Sequence, residues 1–490
     1  MYPFWKYALH RRLPRLHILD EDMAGRMGRM FAHASVRNWY VFGLRLVRIW
    51  TFPRLRSVEI FGLPLIQIRQ HACKTCWCLG PFEILKLRVS GPRSGISQTG
   101  PLCLGHARDS RRRLYWNIGP LAFSDEVSGV PRVARSLLHS LMTMPDSGYD
   151  VCPVYTAADM AGYVHARSFL RKMEGDEEGA ALDEPVIFRD GDMLLSPVPD
   201  VREVETHMET LKSLRASGVR VLFMVHDLIP LQHPEFCPSS FRNEFARWLP
   251  MVSRFDGILT VSRTVAGDYR RWREKHMPKT GPFFLGWFHL GSDMEKRFPS
   301  RGMPDNAPVV LAAMKARPTF LSVSTLEPRK GYRQSLAAFE RLWAGNIDVN
   351  FVIVGRQGWN TGDLAGKMER HPENGRRLFW LRGISDEFLD KLYAASDCVL
   401  FASEAEGFGL AVVEGVEHGK PLILRDIPVF REIAGDHAVY FSGSSAEDLA
   451  DCLEAWLHRR KNGAVTGSEH IHALSWDESA RMLLSRLDEI

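Results

Sequence analysis

The stretch Glu406-Gly-Phe-Gly-Leu-Ala-Val-Val-Glu414 holds two carboxylates separated by seven residues, the first in a glycine-containing turn. The apolar run Cys398-Val-Leu-Phe-Ala402 before it reads as a buried parallel strand, and a helix is expected from about Leu410 to His418. Glu406 then lies in the loop at a strand's carboxyl end, and Glu414 about a turn into the helix. Gly407 and Gly409 permit unusual φ values and let a ligand approach the backbone closely. The helix N-terminus leaves amide N–H groups unpaired and carries positive potential, so it suits a phosphate. An anion site beside two carboxylates that can grip hydroxyls fits a nucleotide-sugar.

Two glutamates at this spacing mean little alone, because many surface helices carry them. The strand before them, the Glu-Gly-Phe-Gly-Leu turn and the following strand Gly419-Lys-Pro-Leu-Ile-Leu424 make the pattern specific. This segment, from Ser403 to Glu432, resembles the Glu-x7-Glu signature of retaining glycosyltransferases of the GT-B fold, specifically glycosyltransferase family 4. The resemblance implies an α/β chain of two doubly wound Rossmann-like domains facing a cleft.

Composition agrees with a soluble globular protein of two or three domains: 490 residues, 45% hydrophobic and 25% charged. No run of about 18 apolar residues suggests a transmembrane helix, and no apolar core with a cleavage site suggests a signal peptide. Eight unevenly spaced cysteines do not suggest a disulfide scaffold, so a cytoplasmic location is expected. The net charge of +5 hides an asymmetry, +14 over residues 1–113 and −9 over the rest.

Residues 1–112 read as an irregular, basic N-terminal extension of unassigned function. Its arginines and aromatics suit an anionic membrane face, which makes peripheral contact with the inner membrane face one expectation. They lack a recognisable nucleic-acid module, so no nucleic-acid partner is expected. His71-Ala-Cys73-Lys-Thr-Cys76-Trp-Cys78 offers metal ligands, but no second pair follows at zinc-site spacing.

Residues 113–300 are expected to form an N-terminal Rossmann-like acceptor domain. Leu114–Ile118 reads as its first strand, followed by a loop to Ser128-Gly129-Val130 and a helix opened by Pro131. Val186–Pro197 reads as strand-rich, Val201–Ala216 as helix, and Val219–Val225 as a buried strand running into His226-Asp-Leu-Ile-Pro-Leu-Gln-His-Pro-Glu235. His226 and Asp227 thus stand where doubly wound sheets bind ligands, although a histidine bonded to a loop backbone fits as well. Residues 294–316 read as the interdomain linker.

The second domain, 301–490, is expected to bind the donor, its last helix free to pack back on the first. Its first strand runs into Glu327-Pro-Arg-Lys-Gly331. Adjacent Arg329 and Lys330 can hold phosphate oxygens, one as a fork and one as a point charge. The Glu-Pro-Arg-Lys run resembles the family's diphosphate motif, the Ser-Gly-Val-Pro-Arg-Val run its N-terminal glycine loop, and His226–Glu235 a stretch of its bacterial polysaccharide branch. In one departure, Ser324 stands where some members carry a further arginine.

The resemblance covers about residues 113–490 and implies transfer of a sugar from a nucleoside diphosphate to a hydroxyl with retention. Arg329, Lys330 and the Gly407-Phe408-Gly409-Leu410 turn would hold the diphosphate, with Gly129 against it and Glu414 on the ribose hydroxyls. Glu406 would position the donor sugar, His226 would touch sugar or phosphate, and Asp227 is a candidate acceptor base. The expected donor leans towards GDP-mannose, and the acceptor is a glycan or a polyprenyl-diphosphate-linked oligosaccharide. No Asp-x-Asp motif occupies the place a metal-dependent transferase needs (Asp20-Glu-Asp22 is the nearest match), so no metal or other cofactor is expected. A non-catalytic nucleotide-sugar-binding scaffold and a nucleotide-sugar epimerase are the rivals on the same fold.

Overall fold

A computed structural model of the chain describes residues 112–122, 129–145, 147–156, 162–173, 183–278, 281–293 and 300–490, with the backbone of six strands between 35 and 88. Those strands are β1 (Ser35–Val41), β2 (Leu44–Phe52), β3 (Leu55–Ile60), β4 (Leu63–His71), β5 (Lys74–Leu79) and β6 (Phe82–Arg88), and they pair antiparallel in sequential order. They belong to a unit, Met1–Pro101, distinct from the unit Leu102–Ile490. The irregular extension expected here is thus strand over much of its length. Apolar and polar residues do alternate, as in Leu65-Ile-Gln-Ile-Arg69, but over runs too short to stand out in an arginine-rich segment. The readings of Asp20-Glu-Asp22, of the side chains from His71 to Cys78 and of membrane contact lie outside the described residues.

The second unit contains two further sheets. The first comprises β7 (Arg112–Asn117), β8 (Tyr149–Thr156), β9 (Tyr163–His165), β10 (Met193–Ser196), β11 (Arg220–Val225), β12 (Gly257–Thr260) and β13 (Phe284–Trp287). Their order is β13-β12-β11-β10-β7-β8-β9, parallel except for β9. The second comprises β14 (Thr319–Val323), β15 (Asn350–Val354), β16 (Leu378–Leu381), β17 (Cys398–Phe401), β18 (Leu422–Arg425) and β19 (Val439–Phe441), all parallel in the order β16-β15-β14-β17-β18-β19. Strands covered by helices on both faces need continuous apolar runs, and β15 and β17 are buried at every residue. In each sheet the order reverses beside the first strand, at β7/β10 and at β14/β17, and loops leaving the carboxyl ends there open a crevice.

Three expectations change. Val186–Pro197 yields only β10, because Arg189-Asp-Gly-Asp192 is a turn closed by Asp192 N–H on the Arg189 carbonyl. The helix from Val201 to Ala216 is two, Val201–Thr206 capped by Asp200 and Met208–Ala216, with His207 between them off helical geometry. The linker expected over 294–316 includes the helix Ala307–Ala316, whose Ala307, Val310 and Met314 are buried against the second sheet. Their helical spacing is legible, but Pro304 and Pro308 mask it as loop.

The last helix, Trp476–Leu487, returns to the first sheet. Trp476, Ala480, Leu483 and Leu487 join an apolar cluster with Leu114, Trp116, Leu137 and Leu141. Phe408 and Val413 of the second domain belong to the same cluster, so the faces flanking the cleft share a core.

Candidate active site between the two sheets

The loop after β14 carries Glu327-Pro-Arg329-Lys330, and the loop after β17 carries Glu406; the two loops flank the strand-order reversal of the second sheet. Arg329 Nη1 donates to Glu406 Oε2 at 2.7 Å and to the Ala405 carbonyl at 3.0 Å, and Lys330 Nζ donates to Glu406 Oε1 at 2.5 Å. Arg329 Nε also donates to Glu327 Oε2 at 3.0 Å. Burial by itself would raise the Glu406 carboxyl, but Lys330 and Arg329 outweigh it and hold the group down at about 2. Burial and then the neighbouring Arg329 lower Lys330, despite the attraction of Glu406. A buried carboxylate between two buried cations, side chains 8%, 19% and 13% exposed, is a charged centre kept out of water.

Gly407 brings the first domain against this centre. A Cβ there would lie 2.1 Å from the His226 carbonyl oxygen, so only glycine allows the approach, and Ser262 Oγ donates to the Gly407 carbonyl at 2.8 Å. Gly409 takes φ +106° and ends the turn ahead of the helix Leu410–Glu417, whose first turn has no side-chain cap. The backbone of the turn is therefore available to an anion. Phe408 belongs to this turn through its backbone. Its ring is 5% exposed, within the shared apolar cluster and 5.5 Å from the His289 ring, so its side chain is packed into the core. Leu410 packs against the same cluster, half-buried.

His226 and Asp227 leave the carboxyl end of β11. His226 Nε2 donates to the Pro197 carbonyl at 2.7 Å, and burial pushes the ring down to about 4 even with that bond. It is a neutral imidazole with Nδ1 as its acceptor, not a cation for phosphate. Asp227 Oδ1 accepts from Ile229 N–H at 3.0 Å, and burial raises its carboxyl although the nearby Arg329 charge pulls it down.

Glu414 is 1% exposed, and both oxygens have protein partners. Oε1 meets Arg132, and Tyr393 Oη donates to Oε2 at 3.0 Å. Arg132 stands in the helix Val130–Thr143, three residues after Gly129, the N-cap residue with φ +63°; its Nε is buried without a partner among the described residues. Ser324, in the place of the absent arginine, bonds Tyr332 Oη at 2.7 Å.

Sequence reasoning quoted Arg132 within the Ser-Gly-Val-Pro-Arg-Val run without giving it a role, and it missed a second bridge built on Glu432. Glu432, on the helix Pro428–Ala434, accepts from the Arg263 and Thr264 N–H groups at 2.7 and 2.8 Å, from Thr264 Oγ1 and from His289 Nε2. It thereby caps a helix of the opposite domain, and although burial opposes it, those bonds hold its carboxyl at about 2. At the strand-order reversal of the first sheet, Asn117 Nδ2 donates to Ser196 Oγ at 3.0 Å and to Glu203 Oε1 at 2.9 Å, and burial pushes Glu203 up to about 7. The described residues contain no cluster of three or more metal-ligating side chains and no helix long and apolar enough to cross a membrane.

Two Rossmann-like domains facing a cleft, with the charged centre at the reversal of the second sheet, define the GT-B fold. Residues 305–469 match the family model described as "Glycosyl transferases group 1". It is 42% identical over 380 residues to the serotype-specific mannosyltransferase WbdA of Escherichia coli, covering 77% of this chain and 46% of that protein. It is 32% identical over 120 residues to the O-antigen chain mannosyltransferase B of Escherichia coli, covering 24% and 30%. The chain thus spans about half the length of the first of these relatives. Among solved structures, the N-terminal domain of trehalose-6-phosphate phosphatase from Candida albicans aligns with a TM-score of 0.53 at 14% identity over 78% of this chain and 98% of that one, a likeness of fold.

Proposed function

We propose that the chain is a retaining glycosyltransferase of family 4 that moves mannose from GDP-mannose to a hydroxyl of a growing glycan in polysaccharide biosynthesis. The observation that carries this is the Arg329–Glu406–Lys330 centre at the strand-order reversal. Two fixed cations beside an uncapped helix N-terminus suit a nucleoside diphosphate, whose leaving oxygens gain charge as the glycosidic bond breaks. Cations and amides already in place meet that charge without a metal. The mannosyltransferase names of the relatives support the choice of sugar.

In this reading the diphosphate lies along Arg329, Lys330 and the Gly407–Leu410 backbone. Glu406, turning from the cations, holds donor-sugar hydroxyls beside the reacting carbon. The ribose hydroxyls take the place of Arg132 on Glu414. Nδ1 of neutral His226 accepts from a sugar hydroxyl, and Asp227, its carboxyl raised by burial, takes the proton of the acceptor hydroxyl. The nucleophile attacks from the face the diphosphate leaves, so the configuration is retained. A cytoplasmic chain held at the inner membrane face by its basic first 113 residues would meet a polyprenyl-diphosphate-linked acceptor there.

The test is a thermal-shift panel of GDP, UDP, ADP and dTDP with and without EDTA, followed by product analysis. A ligand that binds only the folded chain raises its melting temperature by mass action. GDP alone shifting it, insensitive to EDTA, and an axial product linkage from GDP-mannose are expected. A shift with no sugar released in any assay would leave a nucleotide-sugar-binding scaffold.

A further inference from the structure

Of the large apolar side chains left exposed among the described residues, the two aromatic ones face each other across the cleft. Phe241, 46% exposed, stands on the helix Ser239–Val252 of the first domain, and Trp359, 36% exposed, on the loop after β15 of the second. Their ring centroids are 6.2 Å apart with the planes inclined by 35°. Trp359 Nε1 donates to the Phe236 carbonyl at 2.7 Å, which locks the indole across the domain boundary and keeps a face in solvent.

The pair is built into the site by short links. Phe236 packs against Ile229, Cys237 and Ala405, and Ala405 directly precedes Glu406. On the other side the Trp359 loop is pinned to the segment bearing the phosphate cations. Leu326 N–H donates to the Arg356 carbonyl at 2.8 Å, Gly358 N–H to the Leu326 carbonyl at 2.9 Å, and Thr361 Oγ1 to the Leu326 carbonyl at 3.2 Å. Asn360, next to Trp359, takes φ +54°, the left-handed turn conformation that asparagine tolerates. An exposed tryptophan on so fixed a loop is preorganised for contact.

We propose that Trp359 and Phe241 form a carbohydrate-stacking platform at the cleft mouth that binds a sugar unit of the acceptor chain away from the reacting hydroxyl; this rests on the glycan-acceptor reading above. A hexose presents one face of C–H groups and an edge of hydroxyls. The C–H face suits the negative face of an aromatic ring, and the hydroxyls need polar neighbours. Exposed Asn360, next to Trp359, and exposed Gln357, two positions before it on the same loop, supply such groups. A polyprenyl chain or an apolar protein surface would call for contiguous aliphatic area, which two rings among hydrophilic residues do not offer. The platform takes one ring from each domain, and the Trp359 Nε1 bond to the Phe236 carbonyl holds the two together.

The test is calorimetric binding of an α-linked mannotetraose and of methyl α-mannoside to the full chain in the presence of GDP. Wild type should bind the tetrasaccharide more tightly than the monosaccharide. Trp359→Ala should weaken the tetrasaccharide about tenfold and Phe241→Ala somewhat less, with the monosaccharide affected within about twofold, and Trp359→Phe should restore part of the loss. Equal tetrasaccharide affinity in wild type and Trp359→Ala, no preference for the longer glycan, or no tetrasaccharide binding by wild type would overturn the platform. So would Trp359-dependent binding of a polyprenyl phosphate in detergent micelles in place of the glycan. Absence of any nucleoside-diphosphate shift would instead overturn the transferase reading, and the glycan titration reads the platform in either case.

Discussion

Glu406 is the residue on which the site turns, because its carboxylate neutralises two cations that a diphosphate would also seek. Glu406→Gln keeps shape and removes charge. It should lower kcat by about 100-fold or more, the scale of losing one preorganised electrostatic contact, while GDP affinity stays equal or rises, since Arg329 and Lys330 lose a competing anion. Steady-state kinetics beside GDP titration checks this, and an unchanged kcat would remove Glu406 from the chemistry. Arg329→Met strands part of a buried negative charge shared by Glu406 and Glu327. Removing one partner of a buried ion pair costs about 3 kcal/mol or more, and Lys330 should offset part of it, so a loss of about 2 kcal/mol is expected in urea unfolding. A midpoint equal to wild type would mean that the pair is solvated in solution.

At the scale of elements, two glycines of one turn do different work, and alanine at each should show it. At Gly409 the φ of +106° and a Cβ position 2.9 Å from the Phe430 ring make the cost local. Gly409→Ala should destabilise the chain by about 1–3 kcal/mol in denaturant unfolding. At Gly407 the obstacle is the His226 carbonyl of the other domain. Gly407→Ala should therefore hold the cleft open, weaken GDP and enlarge the radius of gyration in small-angle scattering, with a smaller loss of unfolding stability than Gly409→Ala. The opposite ranking of the two variants would contradict the interdomain role of Gly407.

For the whole molecule, buried titrating groups shape the dependence of stability on pH. His226 falls from 6.5 to about 4, so its neutral burial stabilises above 6.5 and that contribution is lost as pH falls from 6.5 towards 4. Glu203 rises from 4.5 to about 7 and acts in reverse, its contribution present at low pH and lost as pH climbs from 4.5 to 7. Between about 4.5 and 6.5 the two slopes oppose each other. Glu406 and Glu432, both held near 2 against 4.5, contribute stability above 4.5 that disappears as pH falls towards 2. The melting temperature should be nearly flat over the middle window and drop steeply below about 4.5. In Glu203→Gln the opposing slope is gone, and the acid decline should begin near 6.5. A decline in that variant still starting at 4.5 would show that His226 takes up its proton as readily folded as unfolded, and a wild-type decline already starting near 6.5 would show that Glu203 ionises freely in the folded chain.

What the sequence by itself determined is the alternation of apolar strands and amphipathic helices from residue 112 onward, and the seating of Glu406, Arg329 and Lys330 in loops at strand carboxyl ends. These are local properties: a buried parallel strand must be apolar throughout, and a turn into a helix needs its glycine. The shorter signals at 35–88 and at Ala307–Ala316 were legible in principle but masked, by brief alternation in one case and prolines in the other. Only the tertiary structure decided that Arg132 would face Glu414, that Glu432 would cap the helix at Arg263, that Phe408 would turn into the core and that Trp359 would meet Phe241. Each joins residues more than a hundred positions apart in separate domains, and side-chain pairing at such range depends on how two sheets close, which no local pattern of residues encodes.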